Sequence, residues 1–153
     1  MKNILLVLLL GISTTTFAYD TKSNFSILGG TGPTNSGLVD NGITGNFQAH
    51  GLILGLGYSY DLAAHFSMGV TLVSNDTALM SFGIPLGVVR VSALGGYGMT
   101  NANDASGGES TITTSNYGLV YGGQVELRPS HSWGLTSVVL SNKAVLGGLS
   151  IHW

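Results

Sequence analysis

The sequence predicts an all-β fold: an eight-stranded antiparallel up-and-down transmembrane β-barrel. Three observations carry this reading. First, the last ten residues alternate strictly. Val145, Gly147, Leu149, Ile151 and Trp153 share one parity, and Ala144, Leu146, Gly148, Ser150 and His152 share the other. A period of two marks a strand with two unlike faces. Second, only 8% of the residues are charged, against roughly a quarter in a soluble domain, so little aqueous surface is expected. Third, the charges act as punctuation. Among the runs between them, Leu62–Asn75, Thr77–Val89, Val91–Asn103, Ser110–Val125 and Pro129–Asn142 are charge-free, each with room for a crossing strand of about 9–11 residues.

Composition narrows the function classes. A chain of 153 residues holds at most one ordinary domain. The formal charge of −2 gives no reason to expect a nucleic-acid partner. With no cysteine, a disulfide framework or zinc ribbon is excluded.

The N-terminus reads as an export signal. Lys2 precedes the apolar run Ile4–Ile12, and Thr16-Phe17-Ala18 places small residues at the −3 and −1 positions. Cleavage is expected after Ala18, leaving residues 19–153 as the barrel. The run is far shorter than the ~20 residues of a spanning helix. Without Lys2, four basic residues face seven acidic ones, a balance of −3.

The first strand is expected at about Lys22–Gly32, followed by a loop over Pro33–Thr44. The second, about Gly45–Tyr60, turns Leu52, Leu54, Leu56, Tyr58 and Tyr60 one way and Ile53, Gly55, Gly57 and Ser59 the other. Asp61–Ala64 reads as a tight turn. The third, about His65–Ser74, turns Phe66, Met68, Val70 and Leu72 outward, and Asn75-Asp76 reads as a hairpin turn. The fourth starts near Thr77, with Met80, Phe82 and Ile84 on one face. Its turn is placed near Val89-Arg90, because an arginine should not sit in lipid and Pro85 suits a strand end. The fifth is about Val91–Thr100. Asn101–Ser115, polar and glycine-rich, reads as a mobile loop that carries Asp104 and Glu109. The sixth is about Asn116–Arg128. The turn Pro129–Ser132 leads to the seventh at Trp133–Ser141, and Asn142-Lys143 turns into the eighth.

Alternation alone does not choose the solvent. The bulky apolar residues share one face, whereas the other is mostly Gly, Ser and Thr. The interior of an eight-stranded barrel is just wide enough for side chains, so the small and hydrogen-bonding face belongs inside and the bulky face requires hydrocarbon. Closure also removes unpaired edge backbone, which a bilayer does not tolerate. An even strand number puts both termini and the short turns on the periplasmic side, with two of the four outer loops long. Tyr58, Tyr60, Phe66 and Trp133, with Trp153, then lie near the periplasmic boundary, where amphipathic rings favour the headgroup level.

The signal, the eight alternating strands and the terminal aromatic strand together resemble the small outer-membrane β-barrels of the OmpA-transmembrane-domain and OmpX type. The resemblance spans the mature chain and is architectural. It implies a Gram-negative outer-membrane location reached by Sec export. It also implies recognition of the last strand by the barrel-assembly machinery, at Val145, Leu149, Ile151 and Trp153. Phe is usual in that family where Trp153 stands here.

Candidate chemistry is sparse. Gln124, Glu126 and Arg128 share the inward parity of the sixth strand, and Arg90 is expected to enter the same lumen from its turn. A carboxylate buried there needs partners. Glu126 is therefore expected within hydrogen-bonding reach of Arg128, Arg90 or both, as an ionic plug that orders the interior, with an electrostatic gate for a small pore as the other reading. His65, His131 and His152 are expected at the periplasmic rim. No H-x-H pair accompanies them or His50, so no metal site and no cofactor are assigned. An outer-leaflet lipid A hydrolase would need a Ser, a His and an acid together. His50, Ser74 and Asp76 lie near one level, but their spacing is not diagnostic and no catalytic residue is assigned. Asp104 and Glu109 mark the stretch best suited to partner contact.

The expected role is a structural or surface-interaction protein with a side-chain-filled lumen. A narrow pore for small solutes is the alternative, and the hydrolase stands third. Expected partners are outer-membrane lipids and lipopolysaccharide, with the protein monomeric.

Overall fold

A computed structural model describes residues 23–34, 47–48, 50–63, 65–107 and 110–153 of the protein. The expected signal segment 1–18, Glu109 and nearly all of the expected loop Pro33–Thr44 lie outside them. The described strands are β1 (Ser23–Pro33), β2 (Phe47–Gln48), β3 (His50–Ala63), β4 (Phe66–Val73), β5 (Thr77–Leu86), β6 (Val89–Gly107), β7 (Ser110–Leu127), β8 (Trp133–Leu140) and β9 (Val145–His152). All pairings are antiparallel. Eight of these strands close a ring, β1–β3–β4–β5–β6–β7–β8–β9 and back to β1. The two-residue β2 adds to β6 above the ring, with Phe47 opposite Asp104.

Closure follows from the alternation. Ile27, Leu52, Leu54, Leu56, Leu72, Met80, Phe82, Ile84, Val91, Leu119, Val125, Leu135, Val139, Leu149 and Ile151 are all exposed on the outer wall, around the whole circumference. Exposed apolar patches on soluble monomers rarely exceed a few hundred Å². The inward set is buried: Ile53, Gly55, Gly57 and Ser59 on β3, and Leu146, Ser150 and His152 on β9.

The interior is divided in height. Towards the end where β1 begins and β9 finishes it is polar, with Asn24, Ser26, Ser59, Ser67, Ser81, Ser92, Gln124 and Glu126 all buried. Towards the far end it is apolar, with Leu28, Ile53, Val73, Leu79, Leu94, Val120, Val138, Leu140, Ala144 and Leu146 in one cluster. The inward face, expected to be mostly Gly, Ser and Thr, carries more large apolar side chains at this height than that expectation allowed. Large side chains fit because inward glycines stand beside them. A Cβ on Gly55 would touch both Leu146 Cδ2 and Leu28 Cβ at 3.3 Å.

Three turn assignments also change. The stretch Asp61–Ala64 is not a tight turn: β3 continues to Ala63, with Asp61 opposite Ser67 and a register shift between Asp61 and Ala63. The next hairpin turns at Gly87-Val88, since Leu86 pairs with Val89 and Pro85 with Arg90. Gly87 has φ 68°, and glycine at the first central position is what a two-residue hairpin turn with positive φ favours. Arg90 is therefore a strand residue. Finally, Asn101–Ser115 is not a loop. β6 and β7 stay paired from Met99–Tyr117 up to Gly107–Ser110, past one register shift. By contrast, Asp76 and Lys143 adopt positive φ in short turns that end β4 and β8 lower down.

The tightness of the wall makes a prediction. A Cβ on Gly148 would fall well inside van der Waals contact of the Ile27 carbonyl oxygen, whereas one on Gly147 would meet nothing nearer than 3.9 Å. Gly148→Val is expected to abolish the faster-moving folded band on unboiled gels, and Gly147→Ala to keep it.

Candidate functional site

The polar half of the lumen is built around one carboxylate. Glu126 is inward on β7 and has no exposed surface. Its Oε2 lies 2.6 Å from Arg90 Nη2 and 3.2 Å from Arg128 Nε. Its Oε1 accepts from Asn24 Nδ2 and lies 2.8 Å from His152 Nε2. Asp61 forms the second centre, 3.3 Å from Arg90 Nη1 and 2.8 Å from Arg128 Nη1. Arg128 Nη2 reaches Asp61 Oδ1 at 3.5 Å as well. Two carboxylates thus face two guanidinium groups, and with a neutral His152 the set carries no net charge. That balance answers the cost of burying ions, which is large unless each is paired and hydrogen-bonded.

Register explains the convergence. Arg90 sits directly opposite Glu126 between β6 and β7. Asn24 sits opposite His152 between β1 and β9. One carboxylate therefore gathers the first, sixth, seventh and last strands, and Asp61 adds β3.

His152 corrects one expectation: it is a buried lumen residue and not a rim histidine. His65 and His131 are exposed. Because a carboxylate only accepts, the ring proton sits on Nε2 and is donated to Glu126. Ser150 Oγ is 3.1 Å from the same nitrogen. A hydrolytic triad needs the hydroxyl on one ring nitrogen and the acid on the other. Here both meet Nε2, while Nδ1 has no partner among the described residues. The arrangement orders an interior and cannot relay a proton from a serine. Ser74 and Asp76 serve as local structural acceptors: Leu54 N–H donates to Ser74 Oγ at 2.9 Å, and Tyr117 O–H to Asp76 Oδ2 at 3.1 Å. No group of three or more metal-ligating residues occurs among the described residues.

The other sequence-predicted residues are dispersed. Gln124 is buried on β7, one inward step above Glu126. Tyr58, Tyr60, Phe66 and Trp133 are on the outer wall at the end shared by the termini, with Phe66 6.4 Å from Phe82 between ring centroids. Val145, Leu149, Ile151 and Trp153 line the exterior of β9 and the residue after it. Asp104 lies within the β6 extension, its backbone opposite Thr113. Sequence reasoning missed Asp61, Asn24, Ser150 and His152 as cluster members. A signal existed for three of them: Asp61 continues the inward parity of Ile53 to Ser59, and Ser150 and His152 that of Leu146.

Neither a protein-family model nor a curated protein matches this sequence. Among solved structures the chain is similar to Ail, the attachment invasion locus protein of Yersinia pestis, in complex with the heparin analogue sucrose octasulfate. Identity is 12% over 86% of this chain and 99% of that one, at a TM-score of 0.54. The N-terminal β-barrel domain of Pseudomonas aeruginosa OprF is 11% identical over 86% of this chain and 96% of that one, at a TM-score of 0.42. The likeness to Ail and the closed ring make the architecture that of the small eight-stranded outer-membrane barrels of the OmpA-transmembrane-domain and OmpX type.

Removing Glu126 leaves two buried guanidinium groups to share Asp61 as their one carboxylate among the described residues. Breaking a buried ion pair from one side costs about 3–5 kcal/mol. Glu126→Ala is expected to lose about that much in urea titrations of the folded barrel in phospholipid vesicles. Asp61→Asn, whose side chain keeps 13% exposure, should lose less. Equal losses would mean that the two carboxylates share the load evenly.

Proposed function

We propose that this chain is an outer-membrane β-barrel protein with a structural or surface-interaction role and a filled lumen. Residues 1–18 would be its cleaved Sec signal, and it would have no catalytic activity. One observation carries the reading: the bulky apolar wall is continuous around a closed ring whose interior is occupied by side chains. Leu52 to Leu62 on β3 marks the depth of that wall. At about 3.3 Å per residue and roughly 40° of tilt, it spans roughly 25 Å, the height of the apolar band of such barrels. Outer-membrane lipids and lipopolysaccharide are the partners of this wall. The exterior residues Val145, Leu149, Ile151 and Trp153 would be read by the barrel-assembly machinery, and the barrel would act as a monomer.

The surface-interaction half of the proposal rests on the β6–β7 extension. β8 pairs with β7 only from Gly122 to Leu127. Beyond Gly122 the outer part of β7 continues paired with β6 as far as Ser110, and a strand pair that reaches past the ring gives an added segment a place to dock. Asp104 and Glu109, with no basic residue between Arg90 and Arg128, favour a basic segment.

Binding of a sulfated polysaccharide, which the Ail complex represents, is not carried over. Sulfate recognition needs exposed cations, and Arg90 and Arg128 are spent in the lumen. Lys143 is the one Lys or Arg outside the lumen among the described residues. The folded protein is expected to pass through a heparin column at physiological salt.

Fractionation tests the main proposal. The expressed protein should sediment with the outer membrane, lose residues 1–18, and migrate faster unboiled than boiled. Recovery of a soluble protein insensitive to boiling would sink it.

A further inference from the structure

We propose that the permeability barrier of this lumen is the apolar layer in its far half, and that the ion cluster beneath it is an anchor rather than a gate. The inference rests on the filled membrane barrel proposed above, and deepens it.

The layer is contributed from around the ring. Leu28, Ile53, Leu79, Val120, Val138 and Leu146 come from β1, β3, β5, β7, β8 and β9, and none is more than 2% exposed. Leu28 and Leu146 meet across the inward face of Gly55. A hydrated ion reaching this level would have to shed water against methyl groups that offer no replacement ligand. Apolar constrictions block ions by excluding water, even where some width remains. The layer is also roofed. Asn75 Nδ2 donates to the Pro33 carbonyl at 3.0 Å, and Asn142 Nδ2 to the Met99 carbonyl at 2.8 Å. Both asparagines are buried.

The ion cluster is placed differently. Among the described residues its charged members, Asp61, Arg90, Glu126 and Arg128, form ion pairs only with one another and with His152, and Glu126 also accepts from Asn24. No hydrogen bond among the described residues ties them to a residue of the apolar layer. A side-chain switch in the cluster would rearrange the polar half and leave the layer closed. Electrostatic gating requires the ion pairs themselves to be the obstruction. Here a second obstruction lies above them in series.

Planar-bilayer recording separates the roles. The proteins compared are the unmodified chain, Glu126→Gln, the Leu28→Ser/Leu146→Ser pair, and the triple combination. Each is admitted only if it shows the heat-shifted folded band. Asp61→Asn replaces Glu126→Gln should the latter fail to fold. The unmodified chain and the cluster variant are expected to give no steady conductance. The leucine-pair variant and the triple variant should both conduct, since the barrier is then opened with or without the cluster. Steady channels from Glu126→Gln or Asp61→Asn alone would overturn the inference while leaving the barrel proposal intact. A folded leucine-pair variant that stays silent would overturn it too, and so would a silent triple variant. Steady channels from the unmodified protein would instead remove the filled-lumen reading itself. If the leucine variants do not fold, a silent cluster variant supports the inference and a conducting one refutes it.

Discussion

An eight-stranded ring encloses so little space that every inward position is a packing decision. That constraint governs this molecule. The outward face accepts any bulky apolar group, because its surroundings are fluid. The inward face must be filled without overlap, so volume on one wall is matched by its absence on another. Gly57 stands between Ser26 and Thr71, and Gly83 between Ser67 and Ser92. Across from these small residues are the long side chains of Arg90, Gln124, Glu126 and Arg128, all buried. Charge enters the lumen because a long polar side chain fits there, and it stays because its partner is the only other thing that does.

The same constraint decides what a reader can recover from the sequence. Parity was legible wherever lipid lies on one side and the lumen on the other, because the two solvents sort residues oppositely. The outward sets of the second, third and eighth predicted strands are therefore correct residue by residue. Legibility ended at the ring's rims. Asp61 looks like a turn residue because Leu62-Ala63-Ala64 follows it, yet it is inward and paired with both arginines. Gly87 was the turn signal between Pro85 and Leu94, but a lone glycine among twenty-four carries little information. Beyond the rim the signal disappears altogether. In the β6–β7 extension bulky apolar residues do not alternate with small ones, and only backbone pairing identifies it as strand.

The apolar far half of the interior was hidden for another reason. Leu28, Leu79 and Val120 look like lipid-facing residues in composition, and only their parity says otherwise. A lumen that holds hydrocarbon-like side chains at one height and ions at another cannot be described by one polarity. The apolar layer gives packing without any requirement for partners, since a buried aliphatic group is stabilised by roughly 1.5–3 kcal/mol wherever it fits. The ionic layer gives less net stability, because desolvation offsets most of the attraction, but its geometry is directional.

Directionality matters most where covalent connection is missing. Seven of the eight ring contacts join strands that are consecutive round the chain, so each is held by its connecting segment. The contact between β1 and β9 has no such connection, and backbone pairing alone defines it. A one-residue slip there would move every side chain of β9 to the opposite face. Asn24 and His152 are paired across this seam, and both reach Glu126 Oε1. A slipped seam would carry His152 outward, leave Glu126 short of a donor and put Ile151 into the ionic layer. The penalty for the wrong register is therefore a buried carboxylate oxygen, Glu126 Oε1, stripped of both its donors, a larger cost than the loss of a few van der Waals contacts. The ion cluster reaches the seam at its Asn24–His152 end, and its value lies in what it makes unfavourable.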